Sequence, residues 1–225
     1  CADPRLILGA HVVPNRWLLQ GGTVGGGGVM RWMARELGEA EQLRAAASGH
    51  SVFDLLGDLA AAVPAGSDGL VFLPYMAGER TPIWDPEAKG VYFGLDFSKT
   101  RGHLIRAGME GVAFSLRHNL EIAEAAGAEV NELCATGGAA NSVLWTQIKA
   151  DVTGKTILVP ASDTATTWGA AILGGIGVGL FSSYEEAVRG SVHHVRRHEP
   201  NPANAAVYDE RYETYRKLYP ALKNM

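Results

Sequence analysis

Arg16-Trp17-Leu18-Leu19-Gln20-Gly21-Gly22-Thr23-Val24-Gly25-Gly26-Gly27-Gly28-Val29-Met30-Arg31-Trp32-Met33 is the stretch on which the fold turns. Arg16 to Gly22 reads as a strand running toward the glycines Gly25 to Gly28, and Met30, Trp32, Met33 and Leu37 are spaced as in a helix beyond them. A glycine turn between strand and helix gathers unpaired backbone N–H groups and the positive end of a helix dipole at one point, an arrangement suited to phosphate. The design recurs: Leu133 to Thr136 reads as a strand, Gly137-Gly138 as a turn, and Asn141 to Val152 as a helix with Leu144, Trp145 and Ile148 on one face. Either site alone is equally well explained by a tight turn against packed backbone. Two of one design favour a nucleotide.

The remaining chain fits the same alternation. Ser51 caps a helix running to Val63, Gly66-Ser67-Asp68-Gly69 turns the chain, and Leu70 to Leu73 reads as a buried strand. Pro74 to Lys89 is a long polar connection, and a loop of that length in a compact domain is usually functional or mobile. Ile105, Met109, Val112, Ala113, Leu116, Leu120 and Ala123 mark a long helix from His103 to Ala126, stopped by Gly127. Thr156 to Val159 reads as a strand and Trp168 to Ile176 as a helix of small residues. A short helix follows the capping serines Ser182 and Ser183, and the last helix, Ala203 to Leu222, carries Tyr208, Tyr212, Tyr215 and Tyr219 as a packing face. The class is α/β, and with no internal repeat or linker, residues 1–225 read as one domain.

Composition bounds the function. The chain has 225 residues, 47% hydrophobic, 20% charged and 8% aromatic, which excludes disorder and collagen-like repeats. Glycine is in excess, 28 of 225 or about 12% against an average near 7%. A net charge of −4 and a pI near 6.0 supply no basic field for nucleic acid or anionic lipid. The weakly polar run Gly169 to Phe181 is too short for a membrane span. Two cysteines form no disulfide framework and fit a reducing cytosol; Cys134 reads as a small buried hydrophobe, and the start at Cys1 reads as that of a processed or excised fragment.

Other chemistry is disfavoured by the order of the residues. Gly154-Lys155-Thr156 imitates the end of a P-loop, but it follows a helix, precedes a strand and lacks the earlier glycine. The run Gly25 to Gly28 lacks the third glycine of a dinucleotide fingerprint. His193, His194 and His198 read as part of a solvated link without metal partners, and no nucleophile elbow occurs.

The order of pieces beyond Phe72 resembles the FGGY carbohydrate kinases, the xylulokinases most closely. Phe72-Leu73-Pro74-Tyr75, Gly78-Glu79-Arg80-Thr81-Pro82, Asp85-Pro86 and Lys89-Gly90-Val91-Tyr92-Phe93-Gly94-Leu95 carry the likeness, and His103-Leu104, Ala107, Met109 and Glu110 complete the second signature. Gly108 departs from the larger small residue usual there. The likeness runs on through Gly137-Gly138-Ala139-Ala140-Asn141-Ser142, Ala150-Asp151-Val152-Thr153-Gly154 and Gly169-Ala170-Ala171-Ile172-Leu173.

The resemblance implies the actin/Hsp70-like, ribonuclease H-like ATPase fold, with this chain as the C-terminal, nucleotide-binding lobe: a mixed sheet flanked by helices. The sugar-binding lobe and the first strands of this lobe's own sheet are expected upstream of Cys1, which would leave Arg16 to Gly22 at an exposed edge and the isolated chain marginally stable. It implies ATP/ADP as ligand, with Mg²⁺ held mainly through the nucleotide and no metal site in this chain. Gly27 and Arg31 are implied on the adenosine side, then Gly137, Gly138 and Ala139 in a second loop. Ser142 falls where relatives such as glycerol kinases have an asparagine; Asn141 is a neighbouring candidate. Glu79 and Arg80 are implied at the interlobe cleft, a solvated pair being the alternative. The aspartate base and a Gly-Thr-Ser phosphate loop are expected before Cys1, so the chain alone is expected to be silent. The parent is implied to be a cytoplasmic ATP-dependent kinase of a ketose such as D-xylulose, with gluconate, ribulose, glycerol and erythritol as alternatives. Oligomeric state stays open, a homodimer included, as does a non-catalytic nucleotide-binding or interaction module of the same fold.

Overall fold

A computed structural model describes residues 3–162 and 164–225; Cys1 lies outside them. The chain opens with an antiparallel hairpin, β1 (Ile7–Ala10) and β2 (Trp17–Gln20), in register from Ile7 opposite Gln20 to Ala10 opposite Trp17. Three helices follow: α1 (Gly26–Leu37), α2 (Glu39–Ser48) and α3 (Val52–Ala61). A second antiparallel pair, β3 (Val71–Leu73) with β4 (Val91–Phe93), leads into the longest helix, α4 (Arg101–Ala125). Then come β5 (Glu132–Cys134), α5 (Val143–Thr153), β6 (Thr156–Pro160), α6 (Ala165–Gly177), α7 (Tyr184–Ser191), β7 (His194–His198) and α8 (Pro202–Leu222). β5 and β6 are parallel, β7 returns antiparallel on β6, and the three form one mixed sheet.

The core is built around α4. Ile105, Ala107, Met109, Ala113 and Phe114 are buried on it, and α1, α3, α5, α8 and β3 pack against it. The apolar spacing of this helix predicts that role. Gly111 lets α4 lie directly on β3, for any side chain there would run into the Phe72 carbonyl. The tyrosines of α8 are a packing face: Tyr208, Tyr212 and Tyr215 are buried around Phe114, with ring centroids 5.6 to 6.2 Å from it, and the Tyr75 and Tyr215 hydroxyls bond at 2.9 Å. Each such ring contributes about 0.5–1.5 kcal/mol beyond its buried area.

A buried carboxylate ties these layers. Glu110 accepts from the Gly66 amide at 3.0 Å, the Ser67 hydroxyl at 2.7 Å, Arg106 Nε at 2.9 Å and the Tyr208 hydroxyl at 3.1 Å. These donors offset only part of its desolvation, and burial still pushes the Glu110 carboxyl above its ordinary range.

Several elements depart from the sequence reading. The first helix starts at Gly26, so three glycines of the run lie in its first turn rather than in a loop. The strand read over Arg16 to Gly22 is paired along one edge by β1; among the described residues its other edge has no strand partner, and Trp17 is 73% exposed. Cys134 is exposed, not buried, because β5 buries even Leu133 only partly. The link read as solvated around the histidines is strand β7, and His198 is buried with Nδ1 3.1 Å from Gln147 Oε1. Its ladder bonds to β6 create that strand, which charged residues concealed. Among the described residues no helix is long and apolar enough to cross a membrane.

Candidate functional site

Three helix starts converge on one cavity. α1 begins at Gly26; α3 begins after Ser51, whose Oγ accepts from the Phe53 amide at 3.2 Å; α5 begins after Ser142, whose Oγ accepts from the Trp145 amide at 3.2 Å. Residues from all three turns line a cavity of about 660 Å³, whose floor is Met30, Met109 and Trp145. The indole is fixed there, its Nε1 donating to the Met109 carbonyl at 3.0 Å. Arg31, Ser51, Asp54, Asn141 and Ser142 supply the polar wall. An apolar floor under a few polar groups is the usual make-up of a small-molecule site, and three helix N-termini with one arginine favour an anionic ligand.

Of the residues singled out in the sequence, Gly27, Arg31, Gly138, Ala139, Asn141 and Ser142 all line this cavity. Gly27 and Arg31 are four residues apart on α1 and so share a face, opposite the buried Val29 and Met33. Gly137 lies on the adjoining cavity of about 420 Å³, beside Asn141, Ser162 and Arg196, and its φ of 77° needs glycine. Arg196 on β7 braces this turn from behind by donating to the Ala140 carbonyl. The Ser142 hydroxyl oxygen is already engaged as a helix cap, which leaves its proton as the group to offer a ligand.

Of the eight glycines with open space at the Cβ position and no positive φ, Gly27 and Gly138 are the two that line this cavity. A Cβ built on either meets no protein atom within 4 Å, and neither has a positive φ. Gly25, by contrast, is pressed against the Pro74 backbone and Gly78 against that of Pro86. Neither internal packing nor backbone conformation therefore calls for glycine at 27 and 138, and both open on the same cavity.

Glu79 and Arg80 are not on the cavity wall, and they are not a solvated pair. Glu79 is 3% exposed and accepts from the Thr23 hydroxyl, the Val24 amide and the Arg80 amide, while the Arg80 side chain is exposed. Burial pushes the Glu79 carboxyl above its ordinary range despite these three donors. The polar connection Pro74 to Lys89 is thereby anchored beneath the first glycine turn.

Sequence reasoning missed Ser51, Phe53, Asp54 and Thr136 as cavity residues. Ser51 was legible only as a cap, and Phe53 only as part of an apolar helix face. Asp54 is the one carboxylate on the wall, and no three His, Cys, Asp or Glu side chains converge among the described residues. The described residues thus offer no cage for Mg²⁺.

An α/β lobe whose helix starts meet at one anion-friendly cavity is that of a nucleotide- or phosphate-binding protein by its geometry, and comparison narrows the class. Residues 7–178 match the model of the FGGY family of carbohydrate kinases, C-terminal domain. The chain is 36% identical over 212 residues to a gluconokinase of Bacillus licheniformis, covering 94% of this chain and 40% of that one. The crystal structure of xylulose kinase from Rhodospirillum rubrum superimposes with a TM-score of 0.84 at 36% identity, over 99% of this chain and 43% of that one. That of Plasmodium falciparum glycerol kinase with ADP, 20% identical, shares the fold with a TM-score of 0.76, over 95% of this chain and 42% of that one. The chain belongs to the FGGY family of carbohydrate kinases, and it spans about two fifths of the length of these relatives.

Proposed function

We propose that this chain, as a single C-terminal domain, forms the adenosine-binding side of the cleft of an ATP-dependent sugar kinase. Gly27 and Arg31 on α1 and Gly138, Ala139, Asn141 and Ser142 at the start of α5 hold the nucleoside, and Gly137 shapes the second turn. The observation that carries the reading is the pair of glycines with open space above them on one cavity, since backbone left bare there admits a ligand to close approach. Arg31 and the three helix starts add the charge preference. The chain's part in phosphoryl transfer is to hold and orient the nucleotide, with Mg²⁺ carried on its phosphates; positioning and charge stabilisation are most of what such transfer requires. We assign no base to it.

The acceptor is a ketose such as D-xylulose, in line with the fit to a xylulose kinase. The gluconokinase relative makes a sugar acid the second reading. Assay of the intact protein with D-xylulose and D-gluconate decides between them.

The nucleotide reading is tested by calorimetric titration of ADP into the chain and its Gly138→Val variant. With open space at 138 the variant keeps its melting temperature but binds ADP about tenfold or more weakly. Equal affinity in the two proteins would remove this turn from the site.

A further inference from the structure

Phe53, Leu56, Ala60 and Val63 fall on one stripe of α3 and its C-terminal extension, at the three- and four-residue steps of a core-facing surface. Leu56 and Ala60 are 0% exposed and Val63 is 5% exposed, whereas Phe53 is 44% exposed. The stripe continues past the point where the protein ends its core, and the ring at its end stands on the wall of the cavity shared by Arg31, Gly138, Ala139 and Trp145. Its backbone is not free to move the ring elsewhere, since the Phe53 amide is held by the Ser51 cap. A large aromatic at the end of a core stripe, 44% exposed and on the wall of a cavity, lacks a partner of its own kind: flat, apolar on its faces and about the area of a ring.

We propose that Phe53 is the stacking platform for the nucleobase, a residue that fixes where the base lies and how tightly it is held. The inference rests on the nucleotide reading above. It supplies what that reading lacks, since the glycine turns and Arg31 provide backbone and charge but no aromatic face. The apolar floor of Met30 and Met109 lies in the same cavity, so the base is removed from water on more than one side. Stacking on an aromatic ring is tolerant of base identity. The platform therefore sets affinity, and choice among bases falls to the polar wall of Ser51, Asp54, Asn141 and Ser142.

The test is ADP titration into the chain and into Phe53→Ala, Phe53→Tyr and Phe53→Trp, with circular dichroism as the check on folding. Loss of the stack weakens ADP roughly 5- to 150-fold in Phe53→Ala, with Tyr and Trp restoring most of it. Inorganic tripolyphosphate, which has no base, binds Phe53→Ala and the parent alike. In Phe53→Trp the added indole is quenched by ADP beyond any change in the parent, and tripolyphosphate leaves it unquenched. If Phe53→Ala binds ADP as the parent does while Gly138→Val does not, the platform is refuted and the nucleotide reading stands. If the parent itself binds no ADP, both fall together.

Discussion

The Glu79 carboxylate accepts the Thr23 hydroxyl at 2.7 Å across 56 positions of sequence, and its other oxygen accepts the Val24 amide at 2.9 Å. This latch fixes the approach of the chain to Gly25 and α1, because Thr23 and Val24 are the last residues before the glycine run. Thr81 adds a second tie, its hydroxyl meeting both the Gly22 backbone and the Asn119 side chain. The cavity's α1 wall is thus held by a segment more than fifty residues downstream.

Glu79→Ala leaves the hydroxyl and two amides without a partner and is expected to cost about 3 kcal/mol or more in denaturant unfolding, at about 1–3 kcal/mol for each of the three groups stranded. Glu79→Gln fits the same space, with its amide oxygen facing both backbone N–H groups and Thr23 turning to accept from the NH₂. It is expected to stay close to the parent at pH 7. The pH dependence separates the two further. The folded-state carboxyl is raised above its unfolded value, so the stability it contributes is full below pH 4.5 and is lost as pH rises through the folded-state value. Glu79→Gln removes that declining limb from a plot of melting temperature against pH. A variant whose profile parallels the parent's would show that the Glu79 carboxyl titrates alike in the folded and unfolded chain, and would overturn the assignment.

His118 imposes the opposite slope. It is buried on α4 with its ring edge-on to Tyr215 at 6.5 Å and its Nδ1 without a hydrogen-bond partner among the described residues. Burial, together with the charges of Arg216 and Arg5, brings its pKa down from 6.5 to about 4. A depressed histidine binds fewer protons folded than unfolded, so its contribution is complete above about pH 6.5 and is lost as pH falls toward 4. That loss is worth up to about 3 kcal/mol. His118→Gln is therefore expected to flatten the acid limb of stability, measured by urea unfolding at pH 4.5, 5.5 and 7. Proton NMR titration of His118 with a midpoint near 6.5 would overturn the assignment.

What could be read from residues alone followed how locally each feature is determined. The α4 stripe, the tyrosine face of α8 and both glycine-to-helix junctions rest on spacing within one element, and spacing is visible in sequence. β7 was hidden because Arg196 and Arg197 carry charges where an apolar alternation would announce a strand, and its pairing is supplied by β6. α2 has little apolar periodicity; its buried Glu41 is held by Arg101, sixty positions away, through bonds of 2.7 and 3.1 Å. The site divides the same way. The two glycine runs announced themselves by residue type and the resemblance singled out Gly27 within the first, whereas Phe53 was indistinguishable from core until its exposure was known.

Gly108 and Gly111 on α4 give a sharp contrast in what a single methyl costs. Both are buried, and helix propensity alone favours alanine at each by about 1 kcal/mol. At Gly108 the added Cβ meets Met33 Cε and Sδ, the far end of a flexible side chain that moves aside at the cost of a rotamer, about 0.5–1.5 kcal/mol. At Gly111 it meets the carbonyl of Phe72, backbone of the buried strand β3, and relief requires helix and strand to separate. Gly108→Ala is accordingly expected within about 1 kcal/mol of the parent, and Gly111→Ala to lose about 1–3 kcal/mol by overpacking, with urea midpoints as the measurement. Equal midpoints for the two variants would mean that α4 does not rest on β3 at Gly111, and the packing of the core around that helix would have to be redrawn.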